Sequence, residues 1–394
     1  MRSYYLSPLV NFTSIWIVVA FLYSLNLSRL LIFSLPQVLL VIGLILIPFF
    51  IGYIYSSLII RLCPKKSQRL AQNEYRNNDY LLRTKVSSFG YFLLVIAEIA
   101  YSGGIPLLLM IKGSSISHFD FGLPVLHGFV LAFGSILATA NFYFFLRTRN
   151  SHFGFTVFLI IVTFILMVTR KMIVVSCLQM LVVYFLLVGR PRFRTVLVVF
   201  LWVIFVIFIF GWIGDIRTGR DLFLRLARTN FDYPSFLPTG LIWVYVYLVT
   251  PVLNFTNAVL NLDVMSANFD FLCSMLPSAL RETFDCLPFA EGQFERSFQV
   301  SPAFNVATGY ISIYLSQSIP GVVIFSFLHG GVSAIAYKLL SDNFARILFF
   351  AVLTQINLLM IFGNGFLNLN VLFQFPLIVL IFLFRSRSNA CDGQ

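Results

Sequence analysis

Apolar residues in this chain fall in long unbroken runs. They neither alternate nor recur on one helical face. A membrane-crossing helix needs about 20 mostly apolar residues. Windows of that kind lie near 9–28, 36–60, 86–102, 125–146, 152–169, 172–189, 195–213, 320–337, 346–363 and 367–384. Polar or turn residues, often arginine, bound each one. The pattern predicts an all-α polytopic membrane protein with ten spans and one long loop containing short helices. A further window, 241–260 (LIWVYVYLVTPVLNFTNAVL), carries Pro251 inside it. It either lies half in the membrane or crosses, and a crossing would bring the number of spans to eleven or twelve. Three regions follow: a bundle of about seven spans over 1–213, a loop over 214–318, and about three spans with a short tail over 319–394.

Composition supports a chain whose solvent is lipid. Hydrophobic residues make up 59% and charged residues 11%, against about 45–50% and about 25% in soluble domains. Mean hydropathy is +0.91. Too few polar groups exist to cover a water-facing surface, which excludes a soluble enzyme. The excess of apolar residues excludes disorder.

The net charge of +12 is spread as a topology signal, not as a nucleic-acid surface. With the N-terminus inside, 17 of the 27 basic residues fall in inside segments. Only Arg29, Lys112, Arg170 and Lys171 fall in short outside loops, and six lie in 214–318. Basic residues prefer the cytoplasmic side, so both termini are expected to be cytoplasmic and the long loop external. The first span runs on without a small-residue cleavage site and reads as a retained anchor. Cys273 and Cys286 fall outside, where they either form a disulfide or remain separate thiols.

The segment 214–318 is where chemistry is expected. It holds six arginines (217, 220, 225, 228, 281 and 296), no lysine and nine acids. Long loops without a role are uncommon. Arginine offers a planar fork that binds phosphate oxygens bidentately and keeps its charge. Arg217, Arg220, Arg225 and Arg228 follow a span directly, at headgroup height. They suit either a specific phosphate ligand or anionic lipid in general. Phe231, Tyr233, Trp243, Tyr245 and Tyr247 cluster nearby. Sugars stack on such rings, and aromatic belts also form at every bilayer interface. No histidine lies in the loop, no metal-ligand spacing occurs, and no nucleotide-type glycine loop is present. Neither metal nor cofactor is expected. Glu98, near the end of the third span, is costly there and either caps a cation or touches substrate.

The order of short motifs resembles the O-antigen polymerases, the Wzy family of oligosaccharide repeat-unit polymerases. The stretches are EIAYSGGIPLL (98–108), GDIR (214–217), YVYLVTPVLNF (245–255) and PAFNVATGY (302–310). Arg281 and Gly292 also have the Arg-x(10)-Gly spacing found in some polymerases. The likeness covers nearly the whole chain in length, order and loop placement. It implies an enzyme of a bacterial inner membrane with its active site facing the periplasm. The substrates would be undecaprenyl-diphosphate-linked glycans, as donor and acceptor. An acceptor hydroxyl would attack the donor's anomeric carbon and release undecaprenyl diphosphate. Membrane lipids and a chain-length regulator are the further expected partners, and nucleic acid is not one.

For that chemistry Arg217, Arg220, Arg228, Arg281 and Arg296 are the expected diphosphate ligands, with Arg217 also catalytic. Asp215 or Asp221 is the expected base, if one is needed. Tyr233, Trp243, Tyr245, Tyr247, Asn254 and Asn305 are the expected glycan contacts. Two alternatives share the lipid-linked substrate. An O-antigen ligase would be expected to place a histidine in the long loop. A lipid-linked oligosaccharide flippase would need no such loop.

Overall fold

The computed structural model describes residues 6–62, 73–112, 121–189, 193–262, 264, 268–284, 286, 298–341 and 343–383. Helices dominate throughout. In chain order they are α1 (Pro8–Ser24), α2 (Leu35–Leu62), α3 (Asn73–Tyr101), α4 (Pro106–Ile111), α5 (Leu126–Thr148), α6 (Ser151–Leu166), α7 (Arg170–Val188), α8 (Phe193–Thr218) and α9 (Arg220–Ala227). Then come α10 (Gly240–Asn261), α11 (Ser278–Thr283), α12 (Ile311–Leu339), α13 (Phe344–Leu359), α14 (Leu369–Leu372) and α15 (Gln374–Ile378). Nine of the ten apolar windows each overlap one helix, and the tenth, 367–384, is divided among α14, α15 and a π-helical turn at Val379–Leu383. Extended pairing among the described residues is limited to one bridge, between Ser28 and Thr229.

Among the described residues, six helical stretches are long and apolar enough to cross a membrane: Leu35–Leu62, Asp79–Ile111, Leu126–Thr148, Arg170–Val188, Gly240–Asn261 and Ile311–Leu339. Shorter apolar helices lie at Pro8–Ser24, Ser151–Leu166, Phe344–Leu359 and Leu369–Leu383. The protein is therefore an all-α membrane protein.

Without a hydrophobic drive between helices in lipid, small residues and polar contacts set the packing. α2 and α12 pack closely on that basis. A Cβ at Gly52 would land on the Phe327 carbonyl, and one at Gly330 on the Phe49 carbonyl. Ser326 donates its hydroxyl to the Ile45 carbonyl at 2.6 Å. The two helices run parallel in this register. A glutamine network ties a second group of helices together. Gln179 of α7 accepts from Ser135 and Thr139 of α5 at 3.2 and 3.0 Å, and donates to Gln374 of α15 at 2.7 Å. Buried amides in lipid must find partners, and this network gives each one.

α12 is not one straight helix. Ser318 breaks it, with φ 56° and ψ −158°, and Pro320 follows. The arms 311–317 and 319–339 fold back on each other. Tyr310 meets Phe325 at 5.9 Å between ring centroids, and its hydroxyl lies 3.1 Å from His329 Nδ1. In an unbroken helix, residues 310 and 329 would be about 28 Å apart. His329 Nε2 donates to Asn357 Oδ1 at 2.7 Å, which leaves Nδ1 to accept from the Tyr310 hydroxyl. Phe12 and Phe49 close on the imidazole at ring distances of 5.1 and 5.0 Å. The stretch before α12 thus dips into the bundle, and the arm 311–317 climbs back out to Ser318.

This hairpin extends the reading of 319–394 as a separate C-terminal piece, because its first arm belongs to the preceding loop. It also bears on the window 241–260, which forms α10. Near its start, the Tyr245 hydroxyl accepts from Leu27 N at 3.0 Å, in the α1–α2 loop. Near its end, the Leu262 carbonyl accepts from the Tyr314 hydroxyl at 2.9 Å, just below the Ser318 turn. The parallel register puts that turn level with the start of α2. These two contacts tie α10 to the α1–α2 loop and to the arm 311–317.

Candidate functional site

The segments expected outside the membrane gather at this same end of the bundle. Leu27 meets Tyr245, and Arg29 N donates to the Arg228 carbonyl at 2.7 Å. Gly309 N donates to the Met360 carbonyl at 2.7 Å, and Asn364 Nδ2 returns a bond to the Gly309 carbonyl at 2.9 Å. Arg170 lies close enough to Tyr247 to act on its hydroxyl electrostatically. At the other end, Arg83 donates to the Ile381 carbonyl at 3.1 Å.

The junction of α8 and α10 holds the first polar cluster. Both Asp215 oxygens are used: Oδ2 accepts from Thr239 N at 3.1 Å, and Oδ1 accepts from the Thr239 hydroxyl. The Arg220 guanidinium donates to the Leu237 carbonyl at 2.6 Å and to the Pro234 carbonyl. It also lies 5.3 Å from the Tyr233 ring centre and 3.9 Å from Asp215. Burial pushes the Tyr233 phenol up, Arg220 opposes that, and Asp215 adds to it. Tyr233 in turn donates to the Pro238 carbonyl at 2.9 Å. This cluster holds the 233–239 turn in place and sits on a cavity of about 600 Å³. Phe205, Phe208, Trp212 and Phe236 line the cavity's apolar side.

The remaining expected residues divide into committed and free groups. Asn254 is fully buried and donates to the Phe304 and Val306 carbonyls at 2.7 and 2.9 Å. Its oxygen accepts from Val300 N at 2.9 Å. The residue thus clamps the PAFNVATGY stretch onto α10. Arg281 donates from Nε to the Leu276 carbonyl at 2.8 Å, inside a loop closed by the Cys273–Cys286 disulfide. The structure forms that disulfide, one of the two alternatives the sequence allowed. Asp221, Arg225, Arg228 and Asn305 are exposed. Arg217 lies on α8, with its side chain outside the described residues, and Arg296 lies outside them altogether.

The aromatics of α10 sort by helical spacing. Trp243 and Tyr247 share a face and stack at 5.0 Å, with Phe223 of α9 stacked on Trp243 at 4.1 Å. Phe304 meets Tyr247 edge-on at 5.9 Å. Tyr245 points the other way, into the core. Tyr247 keeps 38% of its surface exposed and can offer a face to a sugar.

A second polar centre is built on Glu98, whose pairing with His127 the sequence did not announce. Glu98 of α3 is fully buried, and His127 of α5 donates from Nδ1 to its carboxylate at 3.1 Å. This carboxylate fixes the imidazole so that Nε2 faces away from it. Among the described residues, Nε2 has no hydrogen-bond partner. Twenty-nine positions separate the pair, so no local motif announces it. The only signal is a carboxylate near a span end, which needs a partner. No group of three or more metal-ligating side chains occurs among the described residues.

Comparison with models of protein families, with curated proteins and with solved structures finds no match for this chain.

Proposed function

We propose that this protein is an O-antigen polymerase. In this reading it is a glycosyltransferase of the bacterial inner membrane that joins undecaprenyl-diphosphate-linked repeat units at the periplasmic face. The observation that carries the reading is how the long segment is built. α9, α10 and the 298–317 stretch form one cap fastened to the ends of α1, α2 and α13. Two of the four stretches that resemble the polymerases, YVYLVTPVLNF and PAFNVATGY, meet in that cap through Asn254, and Asp215 of a third, GDIR, holds Thr239 at the start of α10. A cap at the membrane surface puts polar groups at the depth of a lipid diphosphate and rings beside the glycan it carries.

Departure of undecaprenyl diphosphate develops negative charge, which fixed cations stabilise without reorganising. Arg217 and Arg228 remain candidates for this role. Arg220 and Arg281 also hold their own loops, through the Leu237 and Pro234 carbonyls and the Leu276 carbonyl. The acceptor hydroxyl transfers a proton as it attacks. Asp221 and the Nε2 of His127 are the groups free to take it. The basic residues at the opposite end of the bundle support cytoplasmic termini.

The test is a gene deletion in the host, complemented with wild type or with Arg217→Ala and scored by lipopolysaccharide gel. The expected deletion phenotype is lipid A core bearing one repeat unit. Loss of that single unit would indicate ligase or flippase, and an unchanged ladder would overturn the reading. An Arg217→Ala protein is expected to insert at normal level and give no ladder.

A further inference from the structure

The structure brings together two arginines that lie 199 positions apart in sequence. The bridge between Ser28 and Thr229 is antiparallel, with Arg29 N bonded to the Arg228 carbonyl and Asn230 N to the Leu27 carbonyl at 3.1 Å. Arg29 and Arg228 are therefore directly opposite each other. Ser28 is fully buried, and its hydroxyl donates to the Ala227 carbonyl. The Arg29–Arg228 backbone hydrogen bond, 2.7 Å long, holds the two residues side by side, and both side chains are exposed. Like charges held this close repel unless something neutralises them. No ion pair joins either arginine to an acid among the described residues.

Backbone geometry adds a second observation. Arg228 caps α9 in the left-handed region, at φ 47°. Glycine occupies that position at lower cost. An arginine here gives up backbone ease and keeps a second cation beside Arg29. The surroundings are those of a membrane surface. Leu222 and Leu226 of α9 are 52% and 39% exposed, and Phe231 is 40% exposed. Exposed apolar side chains beside two free guanidiniums suit a ligand with its charge at headgroup height and its tail in lipid.

We propose that Arg29 and Arg228 form one binding site for the phosphate group of a membrane-borne lipid, gripped from both sides by the two guanidiniums. Assigning that lipid to the polymerase reaction rests on the function proposed above. The site itself does not.

The test uses the purified full chain in nanodiscs of phosphatidylcholine, which carries no net charge. Two lipid probes are titrated separately: farnesyl diphosphate and phosphatidylglycerol. Inorganic pyrophosphate serves as the soluble control. The variants are Arg29→Ala, Arg228→Gly and the double variant. Arg228→Gly suits its backbone position, so this variant is expected to unfold no earlier than wild type. Each single change is expected to weaken binding of at least one lipid probe about tenfold, the scale of a charge-assisted hydrogen bond. The double variant is expected to lose little more, because both groups hold one phosphate. A loss confined to farnesyl diphosphate supports the site and assigns it to diphosphate lipids. A loss confined to phosphatidylglycerol supports it as a headgroup site. Wild-type binding of both probes by folded variants would overturn it. So would fully additive losses, or pyrophosphate binding as tightly as the lipid probes. The gel phenotype of the deletion is independent of these titrations, so either proposal can fail alone.

Discussion

At the scale of single residues, a polar side chain in this protein is either committed to the backbone or free to meet a ligand. Asp215 and Asp221 show the contrast. Asp215 anchors Thr239 through its amide and hydroxyl, while Asp221 is exposed on α9. Removing a carboxylate that satisfies buried donors costs about 1–3 kcal/mol. Asp215→Ala is therefore expected to lower the unfolding temperature in detergent, and Asp221→Ala to leave it unchanged. A thermal-shift comparison of the two checks this. Asn254 and Asn305 form a parallel case. Asn254→Ala removes three hydrogen bonds at a buried site and is expected to cost more than 2 kcal/mol, on the order of one unsatisfied buried carbonyl or amide per lost bond. Asn305→Ala is expected to leave folding intact, so under the proposed function a loss of polymer on the gel would point to contact with the glycan. The sequence could not sort these pairs, because residue type is the same in each. Commitment depends on which carbonyl lies within reach, and folding alone decides that. His127 was illegible for the same reason: its partner sits on another helix.

At the scale of elements, the apolar runs were enough to locate the helices. Length and hydropathy are local properties, and lipid demands internally bonded backbone wherever the chain crosses. The break at Ser318 was not visible in that way. The apolar window begins at 320 and leaves 311–318 in the loop, so nothing local shows that 311–317 is helical and folds back on 319–339. α10 was ambiguous because a helix lying at the interface and one crossing it can share a composition. Packing between elements rests on glycines whose role is steric. At Gly330 a side chain would meet the Phe49 backbone. Gly330→Leu is expected to separate α2 from α12 and to reduce folded protein several-fold in a detergent-solubilised gel-filtration assay. Gly90, on α3, has open space where a Cβ would sit. Gly90→Ala is expected to be neutral, or stabilising by up to about 1 kcal/mol.

At the scale of the whole molecule, the helices alternate between two ends, and the disulfide marks one of them. A 3-10 turn at Asp270–Met275 and α11 hold Cys273 and Cys286 beside the hairpin, where Asn268 N donates to the Ser316 carbonyl at 2.9 Å. Disulfides persist in the periplasm and are rare in the cytosol. Alkylation of intact cells is thus expected to leave both thiols unlabelled until a reductant is added. In a strain without periplasmic thiol oxidation they are expected to label directly. Labelling of both in untreated wild-type cells would reverse the orientation assigned to the bundle.

The fold-back at Ser318 has a consequence for how the protein is made. The arm 311–317 is too short to be inserted as a span of its own, so in the orientation proposed above the translocation machinery exports it with the preceding loop. Its seat is completed by the Met360 carbonyl and Asn364, which are synthesised later. The cap therefore closes only after the last helices have entered the membrane. In the proposed orientation, biogenesis passes through an open stage, in which the external segment is exported but not yet tucked in. A chain truncated before residue 344 should be held at that stage, with 298–317 cut by protease added to spheroplasts, while the full chain resists.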